Sequence, residues 1–443
     1  MKERRQLVKV LGVGFGVAVT VGGTIGTGIL RKPGPIAEML GEPWVIMAVW
    51  VFVSVYALAG TLCTVELGTS LPRAGAWYVY SQRAFGDYPG FVVGINSWLG
   101  TSAAMGFGAY TLSEYMALLF PGLLGEEAFV SVFLLSVLVA IHVLGLKVVS
   151  RFQNWMSLVK GVGLSAFIVI CFWFGEPVTL SDTVQATQSI LEKGNWLAAL
   201  LFSLQAVFYT FDGWHTAAYF TEEDQNPVKN LPRSMIGGVL LVITIYLLVN
   251  LSLLYVLPMD TLASSKLAAA DAVALIFGEK SGKMVTAFLM VSILGIVNAQ
   301  LMLNPRVIYS MSRDGLFFSW VCRVSKRGGL TIATPLTAVV SVLLIASGRE
   351  MCERLSDVAT FFFVMGYASA FASLLALRRK EPSLIRPWKV PLYPFLPIAM
   401  LGLSLGFLLM AVVQDLSGSV YALLFLVFSY PMYRLLKKSN RAK

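Results

Sequence analysis

The chain has 443 residues, 57% of them hydrophobic and only 13% charged, with a mean hydropathy of +0.75. That balance excludes a soluble globular protein and fits an all-α polytopic membrane protein, with room for roughly twelve spans of about 20 apolar residues each. The formal charge of +10 lies between apolar runs, so it reads as positive-inside bias and not as a nucleic-acid surface.

Apolar segments are expected at 7–40 (broken near 23–28), 43–68, 88–120, 127–146, 150–174, 195–220 (broken near 210–214), 233–257, 284–312, 333–348, 356–378, 392–413 and 418–436. The basic start Met1-Lys2-Glu3-Arg4-Arg5 precedes a long apolar run without a small-residue cleavage pattern, so no cleavable signal peptide is expected. With both termini cytoplasmic, basic clusters such as Lys147 with Arg151 and Arg378 with Arg379 and Lys380 fall inside, while Glu126, Glu127, Asp182 and Asp260 fall outside. Arg31 and Lys32 are the exception. The stretch 258–283 reads as an external loop carrying a short helix at 266–277. Cys63, Cys171, Cys322 and Cys352 show neither metal-ligand spacing nor a disulfide framework, and two histidines argue against a histidine-rich metal site. No cofactor is expected.

The first segment contains Val21-Gly22-Gly23-Thr24-Ile25-Gly26-Thr27-Gly28-Ile29. Glycine in a helix costs about 1 kcal/mol relative to alanine. Such a run suits a break at mid-membrane that frees backbone N–H groups for an anion. The bland alternative is close helix packing, since Gly22 with Gly26 and Gly23 with Thr27 fit the small-xxx-small pattern. A second break favours the first reading. It lies in the sixth segment, Phe208-Tyr209-Thr210-Phe211-Asp212-Gly213-Trp214-His215-Thr216, where an ionisable residue at membrane depth is a functional candidate by default. Breaks in the first and sixth segments are what an inverted repeat of five plus five helices predicts. N–H groups from about Gly26, Thr27 and Gly28 would hold a carboxylate, and carbonyls from about Tyr209, Phe211 and Asp212 would accept an ammonium. A zwitterionic amino acid matches two such facing breaks.

Lys160 lies about two turns into the fifth segment. Either it snorkels to the interface, or its ammonium donates to carbonyls of the broken first helix and of the eighth. In the second case it replaces a bound sodium ion, or loads and releases a proton. Glu66 is expected to pair with an arginine or a backbone N–H at the cytoplasmic rim, and Thr221 to Arg233 reads as a polar turn broken by Pro227 and Pro232.

Taken together, the motifs resemble the amino acid–polyamine–organocation superfamily, in its L-type amino acid transporter and bacterial serine/threonine-exchanger-like branch. They are Gly22-x-x-x-Gly26-Thr27-Gly28-Ile29; Glu66-Leu67-Gly68-Thr69 with Pro72-Arg73-Ala74-Gly75; Phe211-Asp212-Gly213-Trp214; Thr221-Glu222-Glu223; Asn298 with Pro305-Arg306; and Arg386-Pro387-Trp388-Lys389. The resemblance covers nearly the whole chain. It implies a LeuT-type fold of ten core helices plus two, divided as 1–174 (helices 1–5), 195–380 (helices 6–10) and 390–443.

It further places the substrate carboxylate at Thr24, Gly26, Thr27 and Gly28, the ammonium at carbonyls around Phe211, Asp212 and Gly213, and an aromatic gate at Tyr209. His215 falls at a pocket position that is often asparagine in that branch. Asn298 joins the substrate set, and Lys160 falls at the helix-5 lysine of sodium-independent members. This chain departs from the pattern at Gly22-Gly23 and Leu30, and 120–128 has no cysteine for a disulfide-linked subunit. The expected function is sodium-independent exchange of small or medium neutral L-amino acids in the inner membrane. Proton symport is the alternative, and a non-transporting amino acid sensor a remote one. No nucleophile–base pair or phosphate loop points to an enzyme.

Overall fold

A computed structural model describes residues 7–178, 196–414 and 416–441. Among them the secondary structure is helical, with two isolated bridges joining Leu11 to Asp224 and Val324 to Leu330. The helices are α1 (Val13–Thr24), α2 (Gly28–Arg31), α3 (Pro33–Leu40), α4 (Pro43–Ser70), α5 (Trp77–Phe85), α6 (Asp87–Leu119), α7 (Glu127–Val143), α8 (Leu146–Phe174) and α9 (Trp196–Phe211). They continue as α10 (Pro227–Val256), α11 (Met259–Ser264), α12 (Ala268–Phe277), α13 (Gly282–Arg313), α14 (Ala333–Ala346), α15 (Arg349–Lys380), α16 (Phe395–Gln414) and α17 (Leu416–Arg441).

Seven helices among the described residues are long and apolar enough to cross a bilayer. The first segment misses that standard because it is broken into three pieces. α6 is 33 residues long but rich in glycine, serine and threonine that face inward. Such small residues let helices approach closely and donate between them. Asn304 on α13 donates to the Trp98 carbonyl at 2.9 Å and the Ser102 hydroxyl at 3.0 Å, and Ser341 on α14 donates to the Ser102 carbonyl at 2.7 Å. α6 thereby packs against α13, α14 and α15, while α1 is enclosed by α8, α10 and α13.

Several elements differ from expectation. Residues 77–85 form α5, a helix between the expected segments 43–68 and 88–120. α10 starts at Pro227, not at 233, because proline at the first helical position gives up only an N–H that would be unpaired anyway, and Asn226 caps the turn by accepting from the Lys229 N–H at 3.4 Å. α15 starts at Arg349, seven residues before the expected 356. The external stretch 258–283 carries α11 and α12, in place of the single helix expected.

Glu66 makes the pairing its sequence position suggested. It accepts from Arg378 at 2.7 and 2.5 Å and from the Val390 N–H at 2.6 Å, tying α4 to α15 and to the linker before α16.

Candidate functional site

α1 stops at Thr24, and the helix resumes at Gly28. Among the described residues, the N–H groups of Thr27, Gly28 and Ile29 find no backbone acceptor. This is the orphaned start of a helix, with its partial positive charge at the break. α9 likewise stops at Phe211, and a turn through Asp212 to His215 leads into a single 3₁₀ stretch, Thr216–Phe220. The Thr216 hydroxyl donates to the Gly213 carbonyl at 2.6 Å and fixes that turn.

The two breaks touch. Gly213 has φ +108° and lies against the backbone of Gly23, so that a Cβ there would run into the Gly23 carbonyl. Tyr246 of α10 links the flanks: its hydroxyl is 2.9 Å from the Thr24 carbonyl and 3.1 Å from the Thr210 carbonyl. The Asp212 carboxylate accepts from the Tyr367 hydroxyl on α15.

Lys160 is fully buried on α8. Its ammonium donates to the carbonyls of Gly22 at 2.8 Å and Ile25 at 2.7 Å, the residues bracketing the end of α1. Helix α13 contributes Gly295 against the lysine side chain, where a Cβ would lie 2.8 Å from Cε. The lysine pairs with no carboxylate among the described residues. Ser157, one turn earlier on α8, donates to the Ala18 carbonyl at 2.6 Å. The lysine therefore neutralises backbone acceptors that the break has exposed, an arrangement that offsets the large cost of burying a charge.

A cavity of about 120 Å³ opens beside the breaks. Thr24, Gly26, Thr27, Gly28, Tyr209 and Asp212 line it, together with Gln300 and Phe363. A second cavity of about 30 Å³ holds Gly213 and His215 and shares Gly23, Asp212, Gln300 and Phe363 with the first. His215 stacks on Trp77 with centroids 5.0 Å apart, and its Nδ1 has no hydrogen-bond partner among the described residues.

Two expected residues lie elsewhere. Phe211 packs on Trp50 and Tyr246 and lines neither cavity. Asn298 also lines neither; it donates to Gln153 of α8 at 2.6 Å. Sequence reasoning did not single out Trp77, Gln300, Phe363 or the two bridging tyrosines, and a lone aromatic or amide carries no signal that separates it from core packing.

The end of the molecule beyond the smaller cavity is sealed by charge. Arg306 clamps Glu223 through two bonds of 2.7 and 2.9 Å, and both side chains are buried. Desolvation pushes the Glu223 carboxyl up from its ordinary value, and Arg306 opposes that shift. Arg313 bonds Glu222 at 2.6 Å, and Asp314 accepts from Arg73 at 2.6 Å and Tyr78 at 2.9 Å. Glu223→Ala should lower stability by about 3–5 kcal/mol, because it strands a buried guanidinium. Thermal unfolding of the purified protein in detergent measures this, and an unchanged midpoint would mean that the pair adds nothing to the closed end.

The amino acid permease family model matches residues 16–430. The chain is similar to the serine/threonine exchanger SteT of Bacillus subtilis, with 28% identity over 447 residues and 98% of each chain covered. It is similar to the large neutral amino acids transporter small subunit 2 of Mus musculus, at 29% over 408 residues, 87% of this chain and 73% of the relative. It also resembles the b(0,+)-type amino acid transporter 1 of the same species, at 25% over 450 residues, covering 96% and 89%. These relatives are transporters and exchangers, not enzymes.

Proposed function

The chain belongs to the amino acid permease family, and from that premise we propose that it exchanges small or medium neutral L-amino acids by alternating access, without sodium. The observation that carries this reading is the contact of two broken helices, Gly213 on Gly23, where Gly23 lines both cavities and Gly213 the smaller one. A carboxylate held at the Thr27 and Gly28 N–H groups and an ammonium at the carbonyls of the facing turn would place one α-carbon between them. Ile293, Ile296, Phe107 and Phe363 supply an apolar surround for an uncharged side chain. Tyr209 stands at the rim as a gate, and His215 and Gln300 join Ser97, Thr101 and Asp212 as polar lining of the smaller cavity. Phe211 and Asn298 act from behind, by packing and through Gln153.

In this reading the fold is LeuT-type with twelve spans. Residues 1–174 and 195–380 form the inverted repeats, and 390–443 carry the last two helices. The protein sits in the inner membrane with both termini cytoplasmic, and the Arg306–Glu223 end faces the cytoplasm. Lys160 stands in for a coupling cation at the end of α1. The serine/threonine exchanger among the relatives supports exchange, and the large neutral amino acids transporter supports neutral substrates. With no cysteine at 120–128, no disulfide-linked subunit is expected.

The test is uptake of a labelled amino acid panel into sodium-free proteoliposomes, with and without internal amino acid. Uptake that needs internal neutral amino acid is the expected result. Uptake into empty vesicles that follows an imposed proton gradient would make the chain a symporter. That second reading is favoured by one observation: Asp212, an acid at the break, lines both cavities.

A further inference from the structure

Arg31, with Lys32, departs from the positive-inside pattern, and the site offers it a use. It closes α2, one turn beyond the open N–H groups, with its own amide bonded to the Thr27 carbonyl at 3.0 Å. It lines the 120 Å³ cavity, yet the residue is exposed, whereas Thr24, Gly26 and Thr210 in the same wall are buried. Arg31 therefore stands at the mouth. Apart from the Tyr209 phenol, Arg31 and Asp212 are the ionisable residues that line this cavity, and Asp212 is bonded to Tyr367 deeper in. Arg31 makes no ion pair among the described residues. Glu114, an acid near this end of α6, is taken by Arg349 at 2.5 Å.

We infer that Arg31 is a charge filter at the cavity mouth, drawing the substrate carboxylate toward the Thr27 and Gly28 N–H groups and excluding amino acids with cationic side chains. An unpaired cation at a rim with low-dielectric walls focuses its field into the cavity, which raises the local concentration of an anionic group and repels a cationic one. The carboxylate meets the guanidinium first and the helix terminus second, about one turn apart. A zwitterion thus enters carboxylate-first, the orientation the break requires. A lysine or arginine substrate would have to carry its side-chain charge past Arg31 with no carboxylate waiting for it. This inference rests on the amino acid transport reading.

Arg31→Gln is suited to the test because the side chain is exposed, so the fold should survive. Exchange of labelled L-serine is measured in proteoliposomes at low and high ionic strength, with L-lysine as competitor. Wild type should ignore lysine, and its apparent KM for serine should rise with salt. In Arg31→Gln the KM at low salt should rise by about tenfold, its salt dependence should vanish, and lysine should begin to compete; Arg31→Lys should restore the wild-type pattern. An Arg31→Gln protein with unchanged KM, unchanged salt response and continued exclusion of lysine would overturn the filter while leaving transport intact. Wild-type vesicles that move no amino acid of the panel would overturn the transport reading, and the filter with it.

Discussion

Lys160→Ala is expected to reduce exchange by at least about a hundredfold while leaving a folded, monodisperse protein. The ammonium serves two carbonyls, Gly22 and Ile25, that end α1. Hydrogen bonds to a charged group contribute about 1.5–3 kcal/mol each. Losing both removes on the order of 3 kcal/mol or more from the broken conformation, and about 1.4 kcal/mol is a factor of ten. The truncation also leaves two backbone acceptors without water at that depth. α1 would then shift toward whatever geometry re-satisfies them, and the N–H groups across the break would lose their aim. Uptake in proteoliposomes beside size-exclusion chromatography in detergent separates the two effects. Wild-type rates would mean that the lysine only fills space between α1, α8 and α13. Gly295 gives a related control, since an added methyl there meets the lysine and not the substrate cavity.

Gly213→Ala should abolish substrate binding as well as transport. The residue sits at φ +108°, where a side chain costs about 1–2 kcal/mol in backbone strain alone. The larger penalty is steric. The new methyl meets backbone, the carbonyl of Gly23 and the Thr24 nitrogen, so nothing flexible can move aside. The two breaks must separate, and the carboxylate and ammonium sites separate with them. Substrate binding to the purified variant tests this directly. Tight binding by Gly213→Ala would show that contact between the breaks is not what forms the site.

Much of this was legible in the sequence. Apolar runs located most helices, and the glycine run and the Phe211-Asp212-Gly213 interruption located both breaks. Lys160 stood out as a lone cation in an apolar helix. What the sequence did not carry was rotation about helix axes. Tyr209 and Phe211 are two residues apart, about 200° around a helix, so a cavity-facing Tyr209 turns Phe211 away. On α13 the cavity residues Ile293, Ile296 and Gln300 share one face, and Asn298 stands about 200° from both Ile296 and Gln300. It therefore meets Gln153 of α8 instead. The spacing rule was available, but without a known inward face it had no anchor. Tyr246 and Tyr367 were beyond reach for another reason. Each is one of 16 tyrosines, and only the packing of α10 and α15 aims their hydroxyls at the breaks. α5 escaped because nine residues of mixed polarity between two spans look like a connection.

The central claim is that two facing backbone breaks recognise the carboxylate and the ammonium of one amino acid, with Lys160 in the place of a coupling cation. The most direct measurement is competition against labelled substrate bound to the purified protein in sodium-free buffer, using the same amino acid as its methyl ester and as its N-acetyl derivative. The account predicts that the free amino acid competes fully, that both derivatives fail, and that added sodium changes nothing. Equal competition by either derivative, or binding that appears only with sodium, would contradict it.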